Sequence, residues 1–111
     1  MTTILHVDNS PTVRAVLKTR LHRAVPGIEI VEARSVESAL VALTLLRSRM
    51  YDLVVLDWSL PDGKASDLLT LLSGLRRVVV TANPSEVKGF SEVFDKADPK
   101  WIDAVIGRIR R

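Results

Sequence analysis

Residues 51–63, YDLVVLDWSLPDG, constrain this chain more than any other stretch. Leu53, Val54, Val55 and Leu56 form a short, unbroken apolar run. That is the pattern of a strand covered on both faces, as in a parallel sheet. The run stops at one carboxylate, Asp57, and Pro61-Asp62-Gly63 then turns the chain. Open α/β sheets place ligands and chemistry at the carboxyl ends of their strands, where loops begin. A strand-end aspartate by itself more often just caps a turn, so Asp57 needs company before it means more.

The remaining elements follow from periodicity and capping signals. Thr3 to Val7 reads as a strand ending at Asp8. Ser10 caps the next helix, Pro11 takes its first position, and Val13, Val16, Leu17 and Leu21 repeat at helical spacing to about Arg23. Pro26-Gly27 turns into a second strand, Ile28 to Ala33, whose Glu29 and Glu32 suit a sheet edge. Ser35 caps a second helix running to about Arg49, with Val36, Leu40 and Leu43 toward the core. After the Asp57 strand, Leu68, Leu69, Leu71 and Leu72 predict a third helix over Ser66 to Leu75. Arg77 to Thr81 is the fourth strand and Val93 to Asp95 a short fifth, ending at Lys96. Gly89 follows Asn83 by only six residues, so the intervening fourth helix is short or irregular. Asp98 caps the last helix, in which Ile102, Val105, Ile106 and Ile109 line one face. Strands alternating with helices make an α/β domain, a parallel sheet with helices on both faces.

Size and composition exclude several classes. A chain of 111 residues is one domain with one core. It buries roughly two thirds of its unfolded surface. No apolar run approaches the roughly 18 residues of a membrane span, and no signal pattern opens the chain, so a soluble, cytoplasmic protein without membrane attachment is expected. The absence of cysteine rules out disulfides and thiolate metal sites. Net charge is +3, with basic residues in the first helix (Arg14, Lys18, Arg20, Arg23) and at the C-terminus. No aromatic residue interleaves with these arginines, and no recognition motif accompanies them, so no direct nucleic-acid binding is expected.

Asp8, Thr81 and Lys96 stand at the ends of their strands as Asp57 does, so a parallel sheet brings all four to one edge. Each has a plain reading of its own: a turn residue, a strand-end β-former, a solvated charge. Together, two carboxylates, a hydroxyl and an ammonium suit a divalent cation and a phosphoryl group. A carboxylate can accept a phosphoryl group as an acyl phosphate. Phosphoryl transfer asks a protein mainly for positioning and charge stabilisation. Mg²⁺ is usually held by one or two carboxylates plus phosphate oxygens and water, and an ammonium and a hydroxyl can bind the remaining phosphate oxygens.

These motifs resemble the receiver domain of bacterial two-component response regulators, in the manner of chemotaxis receivers. The resemblance is carried by ILHVDNSPTVR (Ile4 to Arg14), YDLVVLDWSLPDG, VVVTA (Val78 to Ala82) and VFDKA (Val93 to Ala97), and spans nearly the whole chain. It implies a flavodoxin-like, doubly wound, five-stranded parallel sheet in the order 2-1-3-4-5. It also implies one receiver domain over residues 1–111 with no effector domain. Asp57 is then the phosphoacceptor, taking its group from a histidine kinase or phosphotransfer protein. Asp8, Asn9, Asp57 and the backbone carbonyl of Ser59 hold Mg²⁺, with Mn²⁺ as a substitute. Lys96 pairs with the phosphoryl group, Thr81 moves toward it, and the small Ala82 leaves it accessible. Ser59 and Asn83 tune hydrolysis. Such a domain signals through altered protein contacts, and it is an enzyme only toward its own phosphorylation and dephosphorylation. Arg14, Lys18 and Leu21 of the first helix are candidates for kinase docking; the downstream partner is open, and so is a homodimer.

Three features depart from that family. Asn9 stands where a second acid is usual, removing one negative charge. Val93 stands where a switching Tyr or Phe is common, and Phe94, one place along, points to the other face. Only fourteen residues separate Thr81 from Lys96, which shortens the fourth helical region. These departures support a rival, a phosphorylation-independent interaction module on the same fold. Enzyme readings are weaker. An aspartyl phosphatase needs an acid two residues after its nucleophile, where Ser10 and Ser59 stand. A nucleotide or flavin site needs glycine in the first loop, which HVDNSPTVR lacks.

Overall fold

A computed structural model describes residues 2–45 and 51–110. Five strands, β1 (Thr3–Val7), β2 (Glu29–Ala33), β3 (Leu53–Leu56), β4 (Arg77–Thr81) and β5 (Val93–Asp95), form one parallel sheet in the order β2-β1-β3-β4-β5. The helices are α1 (Pro11–Ala24), α2 (Val36–Leu45) and α3 (Lys100–Ile109). This is the flavodoxin-like order expected, and it leaves β2 with its two glutamates at an edge. No helix among the described residues is long and apolar enough to cross a membrane.

Strand alternation divides the core. Ile4, Leu53, Val55, Val78 and Val80 meet Leu17 and Leu21 of α1 and Ile102 and Val105 of α3. Their neighbours Leu5, Val7, Val54, Leu56 and Val79 meet Ala39 and Leu43 of α2 on the opposite face. Two caps are those read from the sequence: Ser10 Oγ accepts from the Val13 N–H at 3.2 Å and Ser35 Oγ from that of Ser38 at 3.1 Å. Asp98 accepts from the Lys100 N–H at 3.0 Å, but Pro99 holds the cap position of α3 and Asp98 sits one residue before it.

Three expectations fail. Residues 66–75 form no α-helix: a 3₁₀ turn spans Ala65–Leu68 and irregular turns follow. Most of the hydrogen bonds there skip three residues, as from Leu75 N–H to Leu72 O, so the chain winds too tightly for an α-helix. Leu68 and Leu72 are fully buried while Leu71 is 42% exposed. Leu40, expected to face the core, is exposed instead, and so is Val16 of the apolar repeat in α1. The stripe of α1 that meets the sheet is narrow, and on α2 Ala39 and Ala42 take the inward positions. The expected continuation of α2 to Arg49 lies outside the described residues. The segment between Thr81 and Val93 is irregular as anticipated, with one 3₁₀ turn at Pro84–Glu86.

Candidate active site at the strand ends

Because β1, β3 and β4 run parallel, their ends deliver Asp8, Asp57 and Thr81 to one edge. The ammonium of Lys96, which follows β5, joins two of them across long stretches of chain. Its Nζ lies 2.7 Å from Asp8 Oδ2 and 3.0 Å from Asp57 Oδ2. Asp8 is 1% exposed, and its other oxygen accepts from the Ser10 N–H at 2.8 Å. Thr81 is buried, its carbonyl accepts from the Lys96 N–H at 2.8 Å, and its hydroxyl accepts from the Asn83 N–H at 3.2 Å.

The electrostatics are coupled. Burial raises the Asp57 carboxyl above its usual range, while the hydrogen bond and charge of Lys96 oppose that rise. Burial pulls the Lys96 ammonium down, but hydrogen bonds to Asp8 and Asp57 outweigh it and leave the group above its ordinary value. His6, on β1 beneath the site, is held down to about 4 by burial. It is therefore neutral at pH 7 and adds no charge.

The loop after Asp57 is fixed by a contact that no local sequence signal announces. Asp62 accepts from the Val36 and Glu37 N–H groups at 2.7 and 2.9 Å, a second cap on α2 supplied from 25 residues or more away. Those bonds, from Glu37 first and then Val36, lower the Asp62 carboxyl below its usual value. Between Trp58 and Ala65 the chain folds into a two-rung antiparallel ladder, Ser59 opposite Lys64 and Leu60 opposite Gly63. A Cβ at Gly63 would press on Val36 and displace the Asp67 carboxylate, which accepts from the Lys64 N–H at 3.0 Å.

No protein-family model and no curated protein matches the sequence. Solved structures do. The receiver domain of HemR from Leptospira biflexa covers 100% of this chain and 93% of its own, with a TM-score of 0.76 and 26% identity. The response regulator TrrA of Thermotoga maritima, solved in complex with Mg²⁺ and BeF, covers 98% and 99%, at TM-score 0.75 and 26% identity. The receiver domain of the hybrid histidine kinase CckA covers 97% and 95%, at TM-score 0.73 and 25% identity. The chain has the response-regulator receiver fold.

Within this receiver fold, the other sequence candidates are more scattered. Asn9 is exposed and lines a cleft of about 320 Å³ with Arg34, Ser35, Glu37, Pro61 and Asp62. Ser59 and Asn83 are exposed. Val93 packs with the α2-side core and Phe94 with the α3-side core, where the Arg108 guanidinium lies 5.4 Å from its ring. Phe94 is thus a packing residue facing away from Val93. An aromatic contact not foreseen is Phe90, set edge-on to Trp58 at 6.3 Å and 87°. Leu21, expected to help dock a kinase, is fully buried and offers a partner no surface. Arg14 and Lys18 turn toward Glu32. The outward surface of α1 is instead Pro11, Thr12, Ala15, Val16, Thr19 and Arg20, which border an open hollow of about 560 Å³.

The donor set suits a hard divalent cation. One positive centre, the Lys96 ammonium, already sits within 3.0 Å of both Asp8 and Asp57. Among the described residues no three acidic or histidine side chains gather in metal-binding range, so neutral oxygens must complete any coordination. Two carboxylates are within the usual range for Mg²⁺. Replacing Asn9 with aspartate is expected to tighten Mg²⁺ binding in a titration followed by tryptophan fluorescence. Unchanged affinity would show that position 9 does not reach the cation.

Proposed function

We propose that the chain is a phosphoacceptor receiver domain of two-component signalling, with Asp57 as the acceptor. The observation that carries this reading is the Lys96 ammonium set between two strand-end carboxylates, Asp8 and Asp57. In the reaction, a carboxylate oxygen of Asp57 attacks phosphorus, and the new O–P bond forms as the P–N bond to a donor histidine breaks. Asp8, Asp57, Asn9 and the Ser59 carbonyl would hold Mg²⁺, which would supply positive charge to offset that of the phosphoryl oxygens. Lys96 favours the ionised, nucleophilic form of Asp57 and then neutralises a phosphoryl oxygen. Thr81 exchanges its contact with the Asn83 N–H for one to the phosphoryl group, and Ser59 and Asn83 set the lifetime of the acyl phosphate. The donor, a histidine kinase or phosphotransfer protein, docks on the outward surface of α1 around Val16. Output proceeds by altered contacts with a protein partner.

A second reading has support from Asn9, from Val93 and from the irregular segment after β4. It keeps the fold as an interaction module in which the Asp8–Lys96–Asp57 arrangement is a permanent structural ion cluster. Incubation with Mg²⁺ and acetyl phosphate, followed by intact mass, separates the two. One added phosphoryl group, abolished in Asp57→Asn, is expected. An unmodified mass under conditions that label an authentic receiver would leave the second reading.

A further inference from the structure

The carbonyl of Asp8 lies beyond the last paired residue of β1, because the register with β2 ends at Val7–Ala33 and that with β3 at Val7–Leu56. The sheet therefore offers that oxygen no partner, and a buried carbonyl needs one. Arg14 supplies it: Nη1 donates to Asp8 O at 2.6 Å, while Nε donates to Glu32 Oε1 on β2 at 3.1 Å. Lys18 Nζ lies 3.8 Å from the other Glu32 oxygen. The Arg14 side chain is only 19% exposed. The Asp8 N–H, meanwhile, donates to Ala33 O at 2.9 Å. The Asp8 peptide is thus gripped on one side by the edge strand and on the other by a guanidinium that the same strand orients.

We infer that Arg14 is a positioning residue for the cation cleft, fixing Asp8 through its backbone, with Glu32 cancelling the guanidinium charge that would otherwise repel a cation. The inference rests on the proposed cation-assisted reading of the Asp8–Asp57 cleft. A planar guanidinium reaches two acceptors at fixed geometry, which a lysine ammonium on a flexible stem does not reproduce. Groups that orient a metal-holding residue typically change metal affinity about tenfold or more when removed.

The test uses the whole chain as Arg14→Lys and, separately, Glu32→Gln, measured well below their melting temperatures. Arg14→Lys keeps the charge and loses the fork, so Mg²⁺ affinity is expected to fall about tenfold. Without metal, hydrogen exchange at the Ser10 amide, which reports the Asp8 carboxylate through its 2.8 Å bond, is expected to accelerate. Glu32→Gln leaves the guanidinium charge uncompensated, so its loss of Mg²⁺ affinity should shrink as ionic strength rises. Wild-type affinity and unchanged Ser10 exchange in Arg14→Lys would overturn the inference. If the wild-type protein itself takes up no Mg²⁺, the cation reading is what falls, and Ser10 exchange then decides whether Arg14 holds Asp8.

Discussion

Leu72→Ala is expected to lower the unfolding free energy by about 3 kcal/mol and the thermal midpoint by roughly 10 °C or more. Leu72 belongs to no regular helix, yet it is fully buried with Leu68 against Leu56, Val79 and their neighbours on the α2 side. Truncating it leaves a cavity beneath a segment whose own hydrogen bonds are mostly tight three-residue turns. Arg77 strengthens the anchoring, since its Nη1 donates to the carbonyls of Leu72 and Leu75, both at 3.1 Å. A domain of this size is stable by about 5–15 kcal/mol in all, so one leucine carries a large share. Leu71→Ala, one position away and 42% exposed, is expected to stay within about 0.5 kcal/mol. Calorimetry on the two variants checks the contrast; similar losses from both would mean that Leu71 is also packed.

The same residues show where sequence reasoning ends. Leucines at 68, 69, 71 and 72 satisfy helical spacing, but an apolar pattern cannot distinguish an α-helix from a tighter turn that buries the same two side chains. The choice is tertiary, made by the sheet beneath and by Arg77 reaching back for the carbonyls. Val16 and Leu40 misled for a related reason: apolar residues at a stripe's border look like its centre. The strands were legible because an unbroken apolar run has few other uses, and their last residues named Asp8, Asp57, Thr81 and Lys96 without any knowledge of packing. Residues that act on the site from a distance were not legible. The cap that Asp62 places on α2 and the grip of Arg14 on Asp8 depend on neighbours that exist only once the sheet has formed. Phe90 against Trp58 is of the same kind, a contact between two loops far apart in sequence.

Lys96→Met is expected to destabilise the metal-free protein by about 2 kcal/mol, less than the 3–5 kcal/mol typical of a fully buried pair because the ammonium is partly solvated. Asp8, 1% exposed, and Asp57 would then face each other with no cation between them. Asp57→Asn should act oppositely and leave stability unchanged or higher. Burial raises the folded-state pKa of Asp57 despite Lys96, so its ionised form fares worse in the fold than in water. The sign follows from linkage: stability tied to Asp57 is greatest in acid and declines as pH rises from about 3.9 through the folded value. Lys96 runs at the other end of the scale, since its pairing with Asp8 and Asp57 raises its pKa. That stability is fully present below about 10.4 and is lost as pH climbs through the folded value. Because a divalent cation supplies the same positive charge by mass action, Mg²⁺ should raise the melting temperature of Lys96→Met more than that of the wild type. Calorimetry with and without Mg²⁺ tests this directly. A Lys96→Met protein as stable as the wild type and indifferent to Mg²⁺ would mean that the two carboxylates need no cation between them, and the chemistry assigned to this edge would have to be abandoned.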